Sequence, residues 1–152
     1  LPNEPGRIET PEGALIGQHD GLWFYTLGQR QGLDIGGPGE AWYVSGKDVA
    51  RNVLEVVQGH NHPALMCKRL RAVEPEWLTG DLPTTPLACS AKTRYRQDDQ
   101  SCVVKQASHD TIDIEFNIPL RAATPGQALV LYHEDRVLGG GTIDQIDYPI
   151  DE

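Results

Sequence analysis

Three cationic side chains and one aromatic side chain stand close together in AKTRYRQDD, residues 91–99. Lys92, Arg94 and Arg96 occupy alternate positions, so an extended chain projects all three from one face. Lysine and arginine bind phosphate oxygens, and an interleaved aromatic such as Tyr95 offers a face on which an unpaired base can stack. A phosphate-binding strip is therefore one interpretation of this segment.

A solvated strand face is the alternative interpretation of the same segment. Asp98 and Asp99 follow the cations directly, and surface charge runs of this kind are usually only solvated. The whole chain carries a formal net charge of −9, so long-range attraction to nucleic acid is not what its total charge predicts. Composition alone favours the solvated face, and any anion binding here must be local.

Charge is shared unevenly between the two halves of the chain. Residues 1–72 have a net charge of −1, whereas residues 73–152 have a net charge of −8. Four of the six cations of the second half nevertheless fall within residues 92–105. Most of the positive charge of the acidic half is therefore concentrated in one short stretch.

Other short patterns with chemical potential are weaker. His60 and His62 can share a metal, but a third ligand at a recognisable spacing is missing, so we predict a polar loop and no metal site. The stretch 45–48, SGKD, lacks the remaining residues of a nucleotide-binding loop and favours a hairpin turn. Gln29 and Arg30 follow an aromatic run, where an arginine either grips a phosphate or carboxylate or is only a surface residue.

The three cysteines, at positions 67, 89 and 102, form no CxxC pair and predict neither zinc nor a disulfide framework. Cys89 and Cys102 fall in apolar strand patterns, which favours small core residues over nucleophiles. Cys67, beside Lys68 and Arg69, has the only basic neighbourhood, and we interpret it too as structural. Few cysteines, no apolar run of about 20 residues and no signal segment predict a cytoplasmic protein without membrane association.

Short strands are the elements that must position these residues. The first half predicts a hairpin from 41–48 and 52–59, while 21–33 fits a short helix or a buried strand equally well. Thr124-Pro125-Gly126-Gln127 has the pattern of a type II turn. Six further strands are predicted at 69–74, 87–95, 101–108, 111–118, 128–133 and 136–146.

The strand at 111–118 shows the clearest alternation, with Ile112, Ile114, Phe116 and Ile118 predicted on one apolar face. Six short strands with one apolar face each are typical of a small antiparallel barrel. The predicted fold is mainly β. A small central α+β or all-β domain (1–72) precedes a six-stranded antiparallel β-barrel (73–152).

Six motifs, taken in order, resemble the tRNA-specific 2-thiouridylase family. They are GLWFYTLGQRQGLDIGG (21–37), AWYVSGKD (41–48), VVQGHNHPALM (56–66), KTRYRQ (92–97), TPGQALVLY (124–132) and LGGGTI (138–143). The similarity runs collinearly over essentially the whole chain, which makes coincidence a poor explanation for motifs that are individually weak.

The resemblance implies a tRNA-uridine 2-sulfurtransferase that modifies the wobble uridine with ATP and magnesium. In that family an N-terminal ATP-pyrophosphatase domain carries the chemistry and a catalytic cysteine pair, and a persulfide donor protein supplies sulfur. The chain resembles the central and C-terminal domains only, and it lacks the SGGxDS loop of the catalytic domain. We therefore expect a fragment with no catalytic residue and no cofactor of its own, whose partner is tRNA and not DNA.

Site residues follow from the resemblance one by one. The family's tRNA-contacting Arg-Tyr pair matches Arg94 and Tyr95, and its glutamine after a Pro-Gly turn matches Gln127. Lys92 and Arg96 are added from strand alternation alone. The GQR motif that contains Gln29 and Arg30 is expected near the junction with the active site.

A protein-interaction barrel is the competing hypothesis. In that interpretation the acidic face of residues 73–152 docks a basic partner such as a sulfur-relay protein, and the cations of KTRYR only balance charge.

Overall fold

A computed structural model describes residues 3–93 and 98–147 and divides the chain into two compact units, Leu1–Met66 and Cys67–Glu152. The division falls six residues before the boundary between 72 and 73 that the sequence indicated. The reason is that Cys67, Leu70 and Ala72 are buried in the core of the second unit. Lys68, Arg69 and Arg71 therefore belong to that unit, whose net charge becomes −5.

The first unit is built on a four-stranded sheet with the order β2-β1-β4-β3. Its strands are β1 (Gly6–Glu9), β2 (Leu15–His19), β3 (Trp42–Asp48) and β4 (Val53–Gln58). The predicted β3–β4 hairpin is confirmed, and β1 pairs with β4 in parallel. The stretch 45–48 lies inside β3, so its assignment to the hairpin turn is wrong. The turn follows at 49–52, where the Asp48 carboxylate accepts the Arg51 N–H at 3.1 Å.

The aromatic run of the first unit forms neither an α-helix nor a strand. A single 3-10 turn spans Leu22–Phe24, and it buries Leu22 against Ile8, Val44 and other core residues. Trp23 and Phe24 point away from this core and are 60% and 68% exposed. A second 3-10 turn, Pro63–Leu65, ends the unit.

The second unit is a closed barrel with the strand order β10-β5-β8-β7-β6-β9. Its strands are β5 (Met66–Trp77), β6 (Leu87–Lys92), β7 (Gln100–Ala107), β8 (Thr111–Arg121), β9 (Ala128–His133) and β10 (Arg136–Ile146). The pairings β10–β5, β10–β9, β6–β9, β6–β7 and β7–β8 are all antiparallel. This confirms the predicted mainly β fold with a six-stranded antiparallel barrel.

The core of the barrel comes from the alternation predicted in β8. Ile112, Ile114 and Phe116 are fully buried, as expected from a strand with one apolar face. Ile118 is 72% exposed, so its place on the core face was wrong. It precedes Pro119, which has no N–H to donate to a strand ladder, and burial resumes only at Leu120.

Three consecutive glycines let β10 pass close to its neighbours. A Cβ on Gly140 would collide with the backbone carbonyl oxygen of Leu129, and one on Gly141 would lie 2.7 Å from that of Val73. The β10 registers shift on both sides of Gly140. A run of glycines is typical of such a bulged barrel corner.

No helix in residues 3–93 or 98–147 is long and apolar enough to cross a membrane.

Replacing Gly140 with alanine tests the close approach of β10 and β9. We expect Gly140→Ala to lower the free energy of unfolding by about 1–3 kcal/mol, because backbone must move to admit the methyl group. Urea denaturation measures the change. Gly36→Ala is the matched control, since a Cβ at Gly36 has no heavy atom within 4 Å. Equal midpoints for both variants would contradict the tight barrel corner.

Candidate nucleic-acid interface

The KTRYRQ motif begins at the last residue of β6. Lys92 is the last residue of β6, and Thr93, which follows it, is buried. Arg94, Tyr95 and Arg96, with Gln97, lie outside the described residues. Their predicted contacts with phosphate and base therefore remain predictions.

Lys92 is held between an acidic and an aromatic side chain. Its Nζ lies 3.4 Å from the Asp99 Oδ1 and 5.6 Å from the centroid of the Tyr132 ring. The Lys92 and Asp99 side chains are 40% and 36% exposed. An ion pair this open to solvent contributes about 0–1 kcal/mol, so a phosphate can replace Asp99 at little cost. The alternative interpretation, a solvated strand, expected the acidic side chains to balance the cations. The Lys92–Asp99 ion pair shows such a balance, but the pair is weak.

Gln127 closes the turn before β9. Its Oε1 accepts the Thr124 N–H at 3.0 Å, and its backbone N–H donates to the Thr124 carbonyl at 3.1 Å. Gly126 has a φ of 93°, which matches the predicted type II turn. Backbone bonds of 2.8 Å join Gly126 and Gln127 to Ile143 on β10. Among the described residues the Nε2 of Gln127 has no hydrogen-bond partner, so this amide is the group that can donate to a ligand.

The pairing of β6 with β9 brings the two motifs to one end of the barrel. The strands are antiparallel, and Lys92 lies opposite Val130, three residues after Gln127. The connection that leaves β6 therefore begins at the edge where the 124–127 turn enters β9. Tyr132, opposite Ser90, adds an aromatic ring beside Lys92, a neighbour that sequence reasoning missed because it depends on strand pairing.

Gln29 and Arg30 belong to the first unit, and the structure gives them different roles. The Gln29 side chain accepts from the Thr26 N–H at 3.0 Å and donates to the Gln31 carbonyl at 2.8 Å, so it stabilises its own loop. Arg30 is exposed and lines an open groove of about 500 Å³ with Leu33 and other loop residues. Their position at an active-site junction stays a prediction.

Lys47 does not sit in a phosphate cradle. It lies in an extended strand, with its Nζ 5.0 Å from the centroid of the Trp23 ring. Burial lowers the pKa of Lys47. The residues described here therefore do not fit a nucleotide site at the SGKD stretch, because a strand does not present converging N–H groups to a phosphate.

His60 and His62 make local contacts. The His62 Nδ1 accepts the Ala64 N–H at 3.0 Å and caps the 3-10 turn at 63–65. The His60 ring packs edge-on against Tyr43 at 5.6 Å. Within residues 3–93 and 98–147, no three His, Cys, Asp or Glu side chains form a group able to hold a metal.

Cys67 is buried, and its basic sequence neighbours do not activate it. Desolvation, reinforced by the nearby Asp147 carboxylate, raises the pKa of Cys67 to about 12. The Lys68 Nζ donates to the Asn117 carbonyl instead, and Arg69 pairs with Glu115 at 2.9 Å. A thiol this hard to ionise is suited to packing and not to nucleophilic attack.

Comparison with known sequences gives matches over both units. Residues 67–143 match the family described as the aminomethyltransferase beta-barrel domain, and residues 1–58 match the tRNA methyl transferase PRC-barrel domain. A curated relative from Shouchella clausii, named tRNA-specific 2-thiouridylase MnmA, is 53% identical over 146 residues, covering 96% of this chain and 40% of the relative.

Two further relatives carry the same name. The one from Methylococcus capsulatus is 53% identical over 150 residues, covering 95% of this chain and 40% of the relative. The one from Coxiella burnetii is 52% identical over 145 residues, covering 93% and 40%. The chain thus spans about 40% of the length of the curated relatives it matches.

The two ends of the Gln127 side chain can be separated by mutation. Gln127→Ala removes the cap on the Thr124 N–H, and we expect the free energy of unfolding to fall by about 1 kcal/mol. Gln127→Glu keeps an acceptor oxygen for the Thr124 N–H and replaces the Nε2 amino group with a second carboxylate oxygen. We expect it to retain most of the stability in urea denaturation. Equal losses in the two variants would contradict the capping role.

Proposed function

This chain belongs to the tRNA-specific 2-thiouridylase family, and from that membership we propose that its barrel binds tRNA and positions it for 2-thiolation of the wobble uridine. The observation that carries the proposal is the common barrel end of the β6–β7 connection and the 124–127 turn. Both motifs that match the family's tRNA contacts start from this edge.

The proposed contacts divide by chemistry. Lys92, Arg94 and Arg96 bind backbone phosphates, Tyr95 stacks on an unpaired base, and the Nε2 of Gln127 donates to a sugar or phosphate oxygen. Phosphate contacts fix the register of an RNA on a protein without selecting its sequence. The barrel therefore orients the tRNA and leaves the choice of uridine to other contacts.

Electrostatics supports a small contact area. The barrel unit has a net charge of −5, and three of its described cations, Arg69, Arg71 and Lys92, already face carboxylates. The Arg71–Asp113 pair is buried on the Asp113 side and bidentate, so it stays closed. The exposed Lys92–Asp99 pair is the one that RNA can open, because it is weak and stands next to the Arg-Tyr motif.

We propose that the chemistry takes place in a part of the enzyme outside this chain. There ATP and magnesium would serve activation of the uridine, and a cysteine persulfide fed by a sulfur-relay protein would deliver sulfur, in the cytoplasm. The chain alone is then inactive, since neither Cys67 nor the SGKD stretch suits these steps. Thiolation of a uridine by the isolated chain with ATP and a sulfur donor would contradict this.

The acidity of the barrel favours a second candidate function, docking of a basic sulfur-relay partner. The two functions separate experimentally. Docking of a basic partner should be unaffected by Arg94→Ala and should weaken when acidic residues of the barrel are neutralised. Binding of tRNA should weaken in Arg94→Ala and should not weaken when acidic residues are neutralised.

Salt dependence distinguishes the roles of Arg94 and Tyr95. In a full-length enzyme that includes this chain, Arg94→Ala should weaken tRNA binding and flatten the dependence of log K on log salt by about one unit, because one phosphate contact is lost. Tyr95→Ala should lower affinity by about 1–3 kcal/mol of stacking and leave the slope unchanged. Filter binding or fluorescence anisotropy at several salt concentrations measures both.

Arg136→Ala is the charge-matched control for this experiment. Arg136 is exposed and begins β10, so the β9–β10 hairpin places it at the barrel end opposite the 124–127 turn. We expect the tRNA affinity of Arg136→Ala, and the slope of its log K against log salt, to stay close to those of the unmodified enzyme. Equal effects of Arg136→Ala and Arg94→Ala would indicate bulk electrostatics and overturn the local interface.

Asp99→Asn tests whether an internal carboxylate competes with RNA for Lys92. Releasing Lys92 from its partner should raise tRNA affinity roughly 1.5- to 5-fold, the range of an exposed ion pair. Asp110→Asn removes the same charge at the far end of β7 and serves as control. If both variants raise affinity equally, Asp99 acts only through net charge and the competition is excluded.

A further inference from the structure

Cys89 and Cys102 face each other across two neighbouring strands. They are direct partners in the antiparallel β6–β7 ladder, and their Sγ atoms lie 3.8 Å apart. Residues directly opposite in such a ladder have Cα atoms about 4.5–5.5 Å apart, which lies inside the range that a disulfide spans. Side-chain rotation alone can therefore bring the sulfurs toward the bond length of about 2.05 Å.

The two thiols differ in access and acidity. Cys102 is buried in the barrel core, whereas Cys89 is only half-buried. The Cys102 thiol stabilises the Cys89 thiolate by hydrogen bonding and lowers the pKa of Cys89, while the same contact and burial raise the pKa of Cys102. Cys89 is therefore the thiol that reacts first and Cys102 the one that follows. Cys67 is buried elsewhere in the core and has a raised pKa.

We propose that Cys89 and Cys102 form an oxidisable dithiol whose disulfide joins the two strands that flank segment 93–99. The oxidant is a hydroperoxide. The Cys89 thiolate attacks one peroxide oxygen, the O–O bond breaks, and Cys89 becomes a sulfenic acid as hydroxide leaves. The Cys102 sulfur then attacks the Cys89 sulfur, the S–O bond breaks, and the second oxygen leaves as water. Two thiols are oxidised, hydrogen peroxide is reduced to two waters, and a thiol reductant reverses the bond.

The position of the pair gives the modification a structural consequence. The disulfide closes a covalent ring that contains the whole β6–β7 connection, including Lys92 and Asp99. A ring restricts the conformations of the chain within it. Oxidation thus constrains the segment that carries the KTRYRQ motif. The proposal for the dithiol does not depend on the tRNA role of that segment.

Trypsin separates the three cysteines and makes the test direct. Cleavage after Lys and Arg places Cys67 in the peptide 52–68, Cys89 in 72–92 and Cys102 in 97–105. The reduced chain is treated with hydrogen peroxide under native conditions, remaining thiols are alkylated, and the denatured chain is digested and analysed by mass spectrometry. We expect 72–92 linked to 97–105, free 52–68, and loss of the linked species after reduction.

Three single cysteine variants extend the test, so that the result does not depend on the folding of any one of them. In Cys102→Ser, the Cys89 sulfenic acid should persist and react with dimedone; in Cys89→Ser, Cys102 should remain a thiol. Cys67→Ser is the matched control and should form the 89–102 link as the unmodified chain does. Unlinked peptides 72–92 and 97–105 in the oxidised chain, or a link through Cys67, would overturn the proposal.

Discussion

The antiparallel pairing of β6 with β9 is the constraint on which the candidate interface depends. It places Lys92 opposite Val130, and so brings the start of the β6–β7 connection to the edge where the Gln127 turn enters β9. Two sequence motifs that are more than thirty positions apart thereby share one barrel end. Closure of the barrel through β9 and β10 fixes this edge, because Ile143 exchanges backbone hydrogen bonds with Gly126 and Gln127.

The barrel contains two kinds of ion pair: a buried pair that stabilises the fold, and an exposed pair whose cation can bind another anion. Asp113 is 2% exposed and makes two hydrogen bonds to Arg71, at 2.7 and 2.9 Å, so this pair belongs to the folded core. Removing either partner would leave an uncompensated charge in a poorly solvated place. The Lys92–Asp99 pair is half exposed and weak, and it therefore leaves a cation that an external anion can recruit. The proposed binding of RNA at one edge of an acidic barrel rests on this difference between the two pairs.

The sequence was sufficient to predict a strand wherever one face of that strand is apolar. Strand alternation gave β8, and turn residues gave the ends of β9 and β10, whose bounds at 128–133 and 136–146 match the prediction. The strands β1 and β2 were missed because their few residues lack a distinct period-2 pattern, and the parallel partner of β1 lies more than forty positions away. The 45–48 stretch was misplaced because its glycine fills a bulge within β3.

Side-chain encounters across strands were not accessible in the same way. The contacts of Lys92 with Tyr132 and of Cys89 with Cys102 depend on strand order and register, which periodicity alone does not specify. The Gln127 turn was accessible, since its Pro-Gly pair has a fixed backbone meaning. The capping bond of its side chain emerged only from the structure.

Nuclear magnetic resonance of the 15N-labelled chain, titrated with tRNA, tests most directly whether binding is confined to this barrel end. The account predicts that amide signals of the 92–99 segment and of the 124–127 turn shift together, with a common saturation curve. Signals from the 109–110 and 134–135 turns at the opposite end should stay in place. Shifts confined to one of the two motifs, or tRNA binding that moves neither, would contradict the interface.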